Sequence, residues 1–167
     1  TIIKRLPADL LPDDVRIAGI VDELLPVLFP DGKSARLWSR VLPGVRQALE
    51  RLKRLELQLV VVSNSDGSIE DLLTQKDLRA FFDVVIDSYV VGVEKPDPEI
   101  FRIALAQSGA NPAQTLYVGD LYEVDVLGAR SAGLHALLLD PYSDWQDVDC
   151  ERLPDLLALC EKLENAR

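Results

Sequence analysis

The chain has 167 residues, 48% hydrophobic and 28% charged. That size and balance predict one soluble globular domain and exclude a disordered or fibrous chain. Eighteen basic against twenty-eight acidic residues leave a net charge of −10. Such a surface repels nucleic-acid phosphates and anionic lipid, so a small anionic substrate needs a local positive site. No apolar run approaches the roughly 20 residues that a membrane span requires. Cys150 and Cys160, with the single His135 not near them, do not have zinc spacing; they read as reduced thiols of a cytoplasmic protein.

Residues 1–43 are punctuated by Pro7, Pro12, Pro26, Pro30 and Pro43. Between them Val15, Ile17, Ile20, Val21, Leu24, Leu25 and Leu28 recur at helical spacing, behind a cap at Asp13 or Asp14. One or two short helices and no strand are expected there. Pro43-Gly44 then opens a helix through Leu49, Leu52 and Leu55. It is followed by a nearly continuous apolar run, 57–62, which reads as a parallel strand buried on both faces. Similar runs follow at 82–86, 115–118 and 135–139, separated by helical patterns near 68–80, 98–109 and 123–132, with a last helix near 151–164. Strands alternating with helices predict an α/β fold with a parallel sheet.

Ligands of such sheets bind beyond the carboxyl ends of the strands, so the loops there carry the chemistry. After the first run comes Ser63-Asn64-Ser65-Asp66-Gly67, which offers a hydroxyl and main-chain N–H groups for an anion, or an ordinary capped turn. After the second comes Val93-Glu94-Lys95-Pro96-Asp97-Pro98. There Asp97 caps a helix that Pro98 begins, and Lys95 is either an ordinary solvated loop charge or a cation for a phosphoryl group and a carboxylate nucleophile. After the third come Gly119-Asp120 and then Asp125. Two carboxylates there suit Mg²⁺, which takes few protein ligands and keeps its waters, but they also suit the start of a helix dipole. His135, at the start of a strand, reads as structural, and Trp38 and Trp145 as packing or rim residues.

Taken together, Val61-Val62-Ser63-Asn64, Val93-Glu94-Lys95-Pro96-Asp97-Pro98 and Val118-Gly119-Asp120 with Asp125 resemble motifs II, III and IV of the haloacid dehalogenase-like superfamily. Gly128-Ala129-Arg130 with Ala132-Gly133 follows motif IV as it does there. The resemblance implies a three-layer Rossmann-like parallel sheet flanked by helices. Residues 1–40 would be the remnant of a small helical cap, and 41–167 the core. It implies a Mg²⁺-dependent phosphatase acting on a small phosphorylated metabolite through an aspartyl-phosphate. Ser63 and Lys95 are the expected catalytic residues, Ser63, Asn64 and Lys95 the substrate-binding ones, and Asp120 and Asp125 the metal residues, with Asp125 supporting the metal shell or Lys95.

The family's first motif, a strand ending in Asp-x-Asp-x-Thr, is not found. Asp22-Glu23 sits in a helical pattern, and Asp31-Gly32 follows Pro30 and no strand. The nucleophile is therefore expected upstream of Thr1, and these 167 residues alone are expected to be inactive. The central first strand would be missing, leaving the strands at 57–62 and 115–118 with open edges that favour self-association. Other ways to satisfy those edges are closure of the two strands on each other or a neighbouring molecule in the slot. A non-catalytic domain binding phosphate and Mg²⁺ is the alternative from another class. A 2-haloacid dehalogenase, which needs no metal, is argued against by Asp120 and Asp125.

Overall fold

Residues 40–166 are described in a computed structural model of the chain. The cap expected over residues 1–40, and Trp38 with it, lies outside the described residues apart from Arg40.

Helix α1 (Val45–Arg54) starts behind Gly44, whose φ of +80° only glycine adopts freely and whose missing Cβ leaves room for Leu157. Arg51, Lys53 and Arg54 in its last turn complement the helix dipole, and Ala48, Leu49 and Leu52 form its buried stripe. The apolar run that follows becomes strand β1 only from Val60 to Ser63, where it meets β2 (Val84–Asp87) in parallel register, Val60 opposite Val84 through Ser63 opposite Asp87. Leu59 still joins this edge, its N–H donating to the Asp83 carboxylate.

Between the two strands, the helix expected over 68–80 is shorter. Helix α2 (Ile69–Gln75) ends before Asp77, which takes a left-handed φ of 56°, and a 3₁₀ turn, Arg79–Phe81, completes the link. A single turn that sequence periodicity cannot show, α3 (Ser88–Val91), is capped by Asp87, whose carboxylate accepts the Tyr89 N–H. Helix α4 (Pro98–Ser108) begins as its sequence predicts, with Pro98 in the first turn and Asp97 accepting the Glu99 N–H.

Strand β3 (Leu116–Gly119) leads into a π-helical turn, Tyr122–Val126, continued by α5 (Leu127–Ser131). Strand β4 (His135–Leu139) lies parallel to β3, and a two-residue strand, β5 (Arg152–Leu153), lies parallel to β4. The last helix therefore does not start near 151. The Leu138 and Asp140 N–H groups bond to Glu151 and Leu153, and α6 (Leu156–Asn165) begins only after its cap, Asp155.

Helices cover both faces. On one, Ala48 and Leu52 of α1 and Leu159 and Cys160 of α6 pack with Leu137, Leu153, Leu59 and Val118. On the other, Ile100, Phe101 and Ala104 of α4 and Ala129 of α5 pack with Ile86, Val60, Val62, Tyr117 and Ala136. The alternation of Tyr117 and Val118 between the two clusters is the period-two pleat of a strand buried on both sides. Among the described residues the strands form two hydrogen-bonded sheets, β1–β2 and β3–β4–β5, not joined to one another by a backbone ladder. Both helix layers span both sheets, so the apolar clusters unite what the ladders do not.

Candidate functional site

The carboxyl ends of β1, β2 and β3 converge because each strand passes its last residue to a loop tied to its neighbour. Ser63 closes β1, half-buried and opposite Asp87. Beyond it the loop is fastened to β2: the buried Ser88 Oγ accepts the Ser65 N–H at 3.0 Å and donates to the Ser65 carbonyl at 3.1 Å, while Asp87 accepts the Gly67 N–H at 3.1 Å. Asn64 reaches the other way. Its Oδ1 accepts the Lys95 N–H at 2.8 Å and its Nδ2 donates to the Lys95 carbonyl at 2.9 Å. The carboxamide is thus committed at both ends to the main chain of the lysine loop.

The Lys95 side chain turns inward. Its ammonium donates to Asp125 Oδ1 at 2.7 Å and to the Tyr117 hydroxyl at 3.0 Å. Lys95 and Asp125 side chains are 12% and 3% exposed. Little water reaches the pair, and removing one partner of such a buried pair typically costs about 3–5 kcal/mol. The other Asp125 oxygen accepts the N–H groups of Asp120 and Leu121 at 3.1 and 3.0 Å. Asp125 therefore fixes both the lysine and the turn that carries Asp120. Gly119 makes this possible: a Cβ there would lie 2.4 Å from Asp125 Cβ and Cγ.

Tyr117 is the residue the sequence reading missed. An aromatic in an apolar strand looks like plain core, and its ring does pack edge-on against Phe101, centroids 5.0 Å apart. A buried phenol nevertheless needs a polar partner, and its place two residues before Gly119 was the available signal. Tyr117 Oη accepts from Lys95 and directs its own proton toward the Val62 carbonyl at 3.3 Å or Asp125 Oδ1 at 3.2 Å. The Val62 contact carries a polar link from β3 to β1. Burial, followed by the Asp125 charge and hydrogen bond and then the Asp120 charge, raises the phenol far above its ordinary pKa, so it stays neutral.

Asp120 itself is exposed at the mouth of this arrangement. Among the described residues no three His, Cys, Asp or Glu side chains gather into a metal cluster. The available donors are carboxylate oxygens, which fit a hard cation such as Mg²⁺ that needs only one or two of them. Asp120 could hold such an ion. Asp125, with both oxygens occupied, could support it by holding the Asp120 turn. Ser63, Asn64, Lys95, Asp120 and Asp125 thus lie at or just beyond one end of the strands, Lys95 linking the first loop to Asp125 and Asp125 linking Lys95 to the turn that carries Asp120. His135 stands apart on the β4 start, its Nε2 3.1 Å from the Ala113 carbonyl. No helix among the described residues is long and apolar enough to cross a membrane.

Comparison with known proteins identifies the family. The family description "haloacid dehalogenase-like hydrolase" matches residues 13–133. The chain is 40% identical over 136 residues to haloacid dehalogenase-like hydrolase domain-containing protein 3 of Mus musculus, covering 78% of this chain and 54% of that protein. It is 29% identical over 157 residues to glyceraldehyde 3-phosphate phosphatase of Methanopyrus kandleri, covering 92% of this chain and 64% of that one. Among solved structures, a phosphatase of this family from Thermococcus onnurineus superposes with a TM-score of 0.72 at 27% identity, over 78% of this chain and 62% of that one. The chain spans about half the length of its mouse relative. With the family pattern matched over most of its length, the chain belongs to the haloacid dehalogenase-like hydrolases.

Proposed function

We propose that this chain carries the core of a Mg²⁺-dependent phosphomonoester hydrolase acting on a small phosphorylated metabolite. The observation that carries the reading is the Lys95 ammonium, held at the strand ends by Asp125 and Tyr117 beside the exposed Asp120. In an acidic molecule this is the local cation that a phosphoryl dianion requires. The phosphatase relative from Methanopyrus kandleri supports the same substrate class.

The attacking carboxylate comes from outside residues 40–166, on a segment preceding this chain. Its oxygen bonds to phosphorus as the ester P–O bond breaks, and the leaving alkoxide takes a proton from a second carboxylate on the same segment, which then accepts one from the attacking water. Water then displaces the carboxylate and releases phosphate. Lys95 neutralises charge on the nucleophile and the transferring group. Ser63 donates its hydroxyl to a phosphoryl oxygen, and Asn64 contributes by holding the Lys95 main chain beside the substrate. Asp120 would hold Mg²⁺, which when bound offsets charge between carboxylate and phosphate. Much of the rate then comes from positioning and charge neutralisation in a prearranged site.

The test is Mg²⁺-dependent hydrolysis of an aryl phosphate by the protein with whatever segment its coding sequence supplies before Thr1. Turnover is expected, with a loss of at least about 100-fold in Lys95→Ala, within the range for removing a prearranged charge donor. No turnover with Mg²⁺ present would favour a non-catalytic phosphate-binding domain, the reading suggested by the absent first motif. The 167 residues alone are expected to be inactive; robust turnover by them would put the nucleophile inside this chain.

A further inference from the structure

Asp120 is held from a second side, by a residue far along the chain. Its N–H is fixed by Asp125, and its carbonyl accepts the Trp145 indole N–H at 3.0 Å. Both main-chain polar groups of Asp120 are therefore engaged while its side chain stays exposed.

Trp145 is in turn held by the segment between β4 and β5. The buried Asp140, directly after β4, accepts the Asp144 N–H at 2.8 Å and the Trp145 N–H at 3.4 Å. Arg152 of β5 donates to Asp140 Oδ2 at 3.0 Å and to the Trp145 carbonyl at 2.6 Å. The indole lies tilted against Tyr122, centroids 6.1 Å apart, at the start of the turn that carries Asp125. Farther along, Asp149 takes both the Tyr122 hydroxyl at 2.7 Å and Arg130 at 2.6 Å. The segment thus meets Tyr122 at two points, Trp145 and Asp149, and is also tied to Arg130 of α5.

We infer that Trp145 is a positioning residue for the cation site, fixing the Asp120 main chain so that its carboxylate is prearranged toward a divalent ion. The inference rests on the reading of Asp120 as the Mg²⁺ ligand. Residues that orient a metal ligand without touching the ion commonly change affinity by 10–100-fold when lost.

The experiment is a calorimetric titration of the protein, with whatever segment its coding sequence supplies before Thr1, with Mg²⁺ alone and in the absence of substrate. Wild type is compared with Trp145→Phe, which keeps a ring against Tyr122 but has no donor, and with Asp120→Asn. Roughly tenfold weaker Mg²⁺ binding by Trp145→Phe, with an unchanged far-ultraviolet spectrum, is the expected result. Wild-type affinity in Trp145→Phe, alongside lost binding in Asp120→Asn, would overturn the inference and leave the metal reading intact. Equal binding by Asp120→Asn, or none by wild type, would overturn the metal reading and the inference with it. Should Trp145→Phe not fold, Asp140→Asn, which loosens the Trp145 main chain, decides by the same comparison.

Discussion

Tyr117 ties the chemistry of single residues to the stability of the sheet. Its phenol is buried, accepts from Lys95 and links β3 to β1 through the Val62 carbonyl. In the unfolded chain it ionises near pH 10, whereas in the fold its pKa is raised, first by burial and then by Asp125. A raised folded-state pKa means a contribution that is whole below about pH 10 and lost as pH rises toward the folded value. Urea midpoints measured from pH 8 to 11 should therefore fall at the alkaline end. Tyr117→Phe should flatten that fall while lowering stability at neutral pH by about 1–3 kcal/mol for its lost hydrogen bonds. An unchanged alkaline slope in the variant would show that Tyr117 is not the group responsible. The sequence names Ser63, Lys95, Asp120 and Asp125 because each follows a legible apolar strand. It conceals Tyr117 because a phenol in a strand and a core aromatic look alike until the partner of the hydroxyl is known. Asn64 is named by the sequence as a substrate-binding candidate, while the commitment of its carboxamide to Lys95 depends on a contact 31 positions away.

At the scale of elements, strand cores and helix caps were readable and exact lengths were not. Asp97 with Pro98 announced the start of α4, and His135–Leu139 was found at its true bounds. The 57–62 run overshot because a strand is defined by its neighbour, and β2 offers pairing only from Val84. Strand β5 has two residues, too few for any alternation to show, and so its place was given to the following helix. Gly119 illustrates a constraint between elements. Its Cα lies against Asp125, and a methyl added there would sit 2.4 Å from Asp125 Cβ and Cγ. Gly119→Ala must expel the carboxylate from the position where it holds Lys95 and the two N–H groups. The expected result is a loss of about 3–5 kcal/mol, the cost of separating the buried Lys95–Asp125 pair, with phosphatase turnover of the protein that carries its upstream segment falling as in Lys95→Ala. A thermal melt and an aryl phosphate assay on one preparation check both, and wild-type values in either would contradict the crowding argument.

For the whole molecule, the three-layer arrangement was the most legible feature, since four apolar runs separated by amphipathic helices leave few other solutions. The expected lack of a ladder between β1 and β3 holds among the described residues, where they lie in separate sheets; the sequence did not show the Tyr117 contact to the Val62 carbonyl that links them. Backbone edges without a ladder attract other chains, while a net charge of −10 keeps copies apart. Salt weakens only the second effect, since the screening length falls from about 30 Å at 0.01 M to about 8 Å at 0.15 M. Sedimentation of the 167-residue chain should therefore show self-association that grows with added NaCl. A weight-average mass fixed at the monomer value of 18.5 kDa under both conditions would mean that the edges are satisfied within one molecule.

The pair of hydrogen bonds between Asn64 and the Lys95 main chain also bears on how the protein ages. Deamidation at an Asn-Ser step begins when the serine amide nitrogen attacks the asparagine side-chain carbon and expels ammonia. Here the Ser65 N–H is occupied by Ser88, and the carboxamide is gripped at both ends. Spontaneous hydrolysis at this step must wait for the loop to open. Once it has happened, the new carboxylate confronts the Lys95 carbonyl with no proton to give, so the closed loop loses one of its two ties to the lysine.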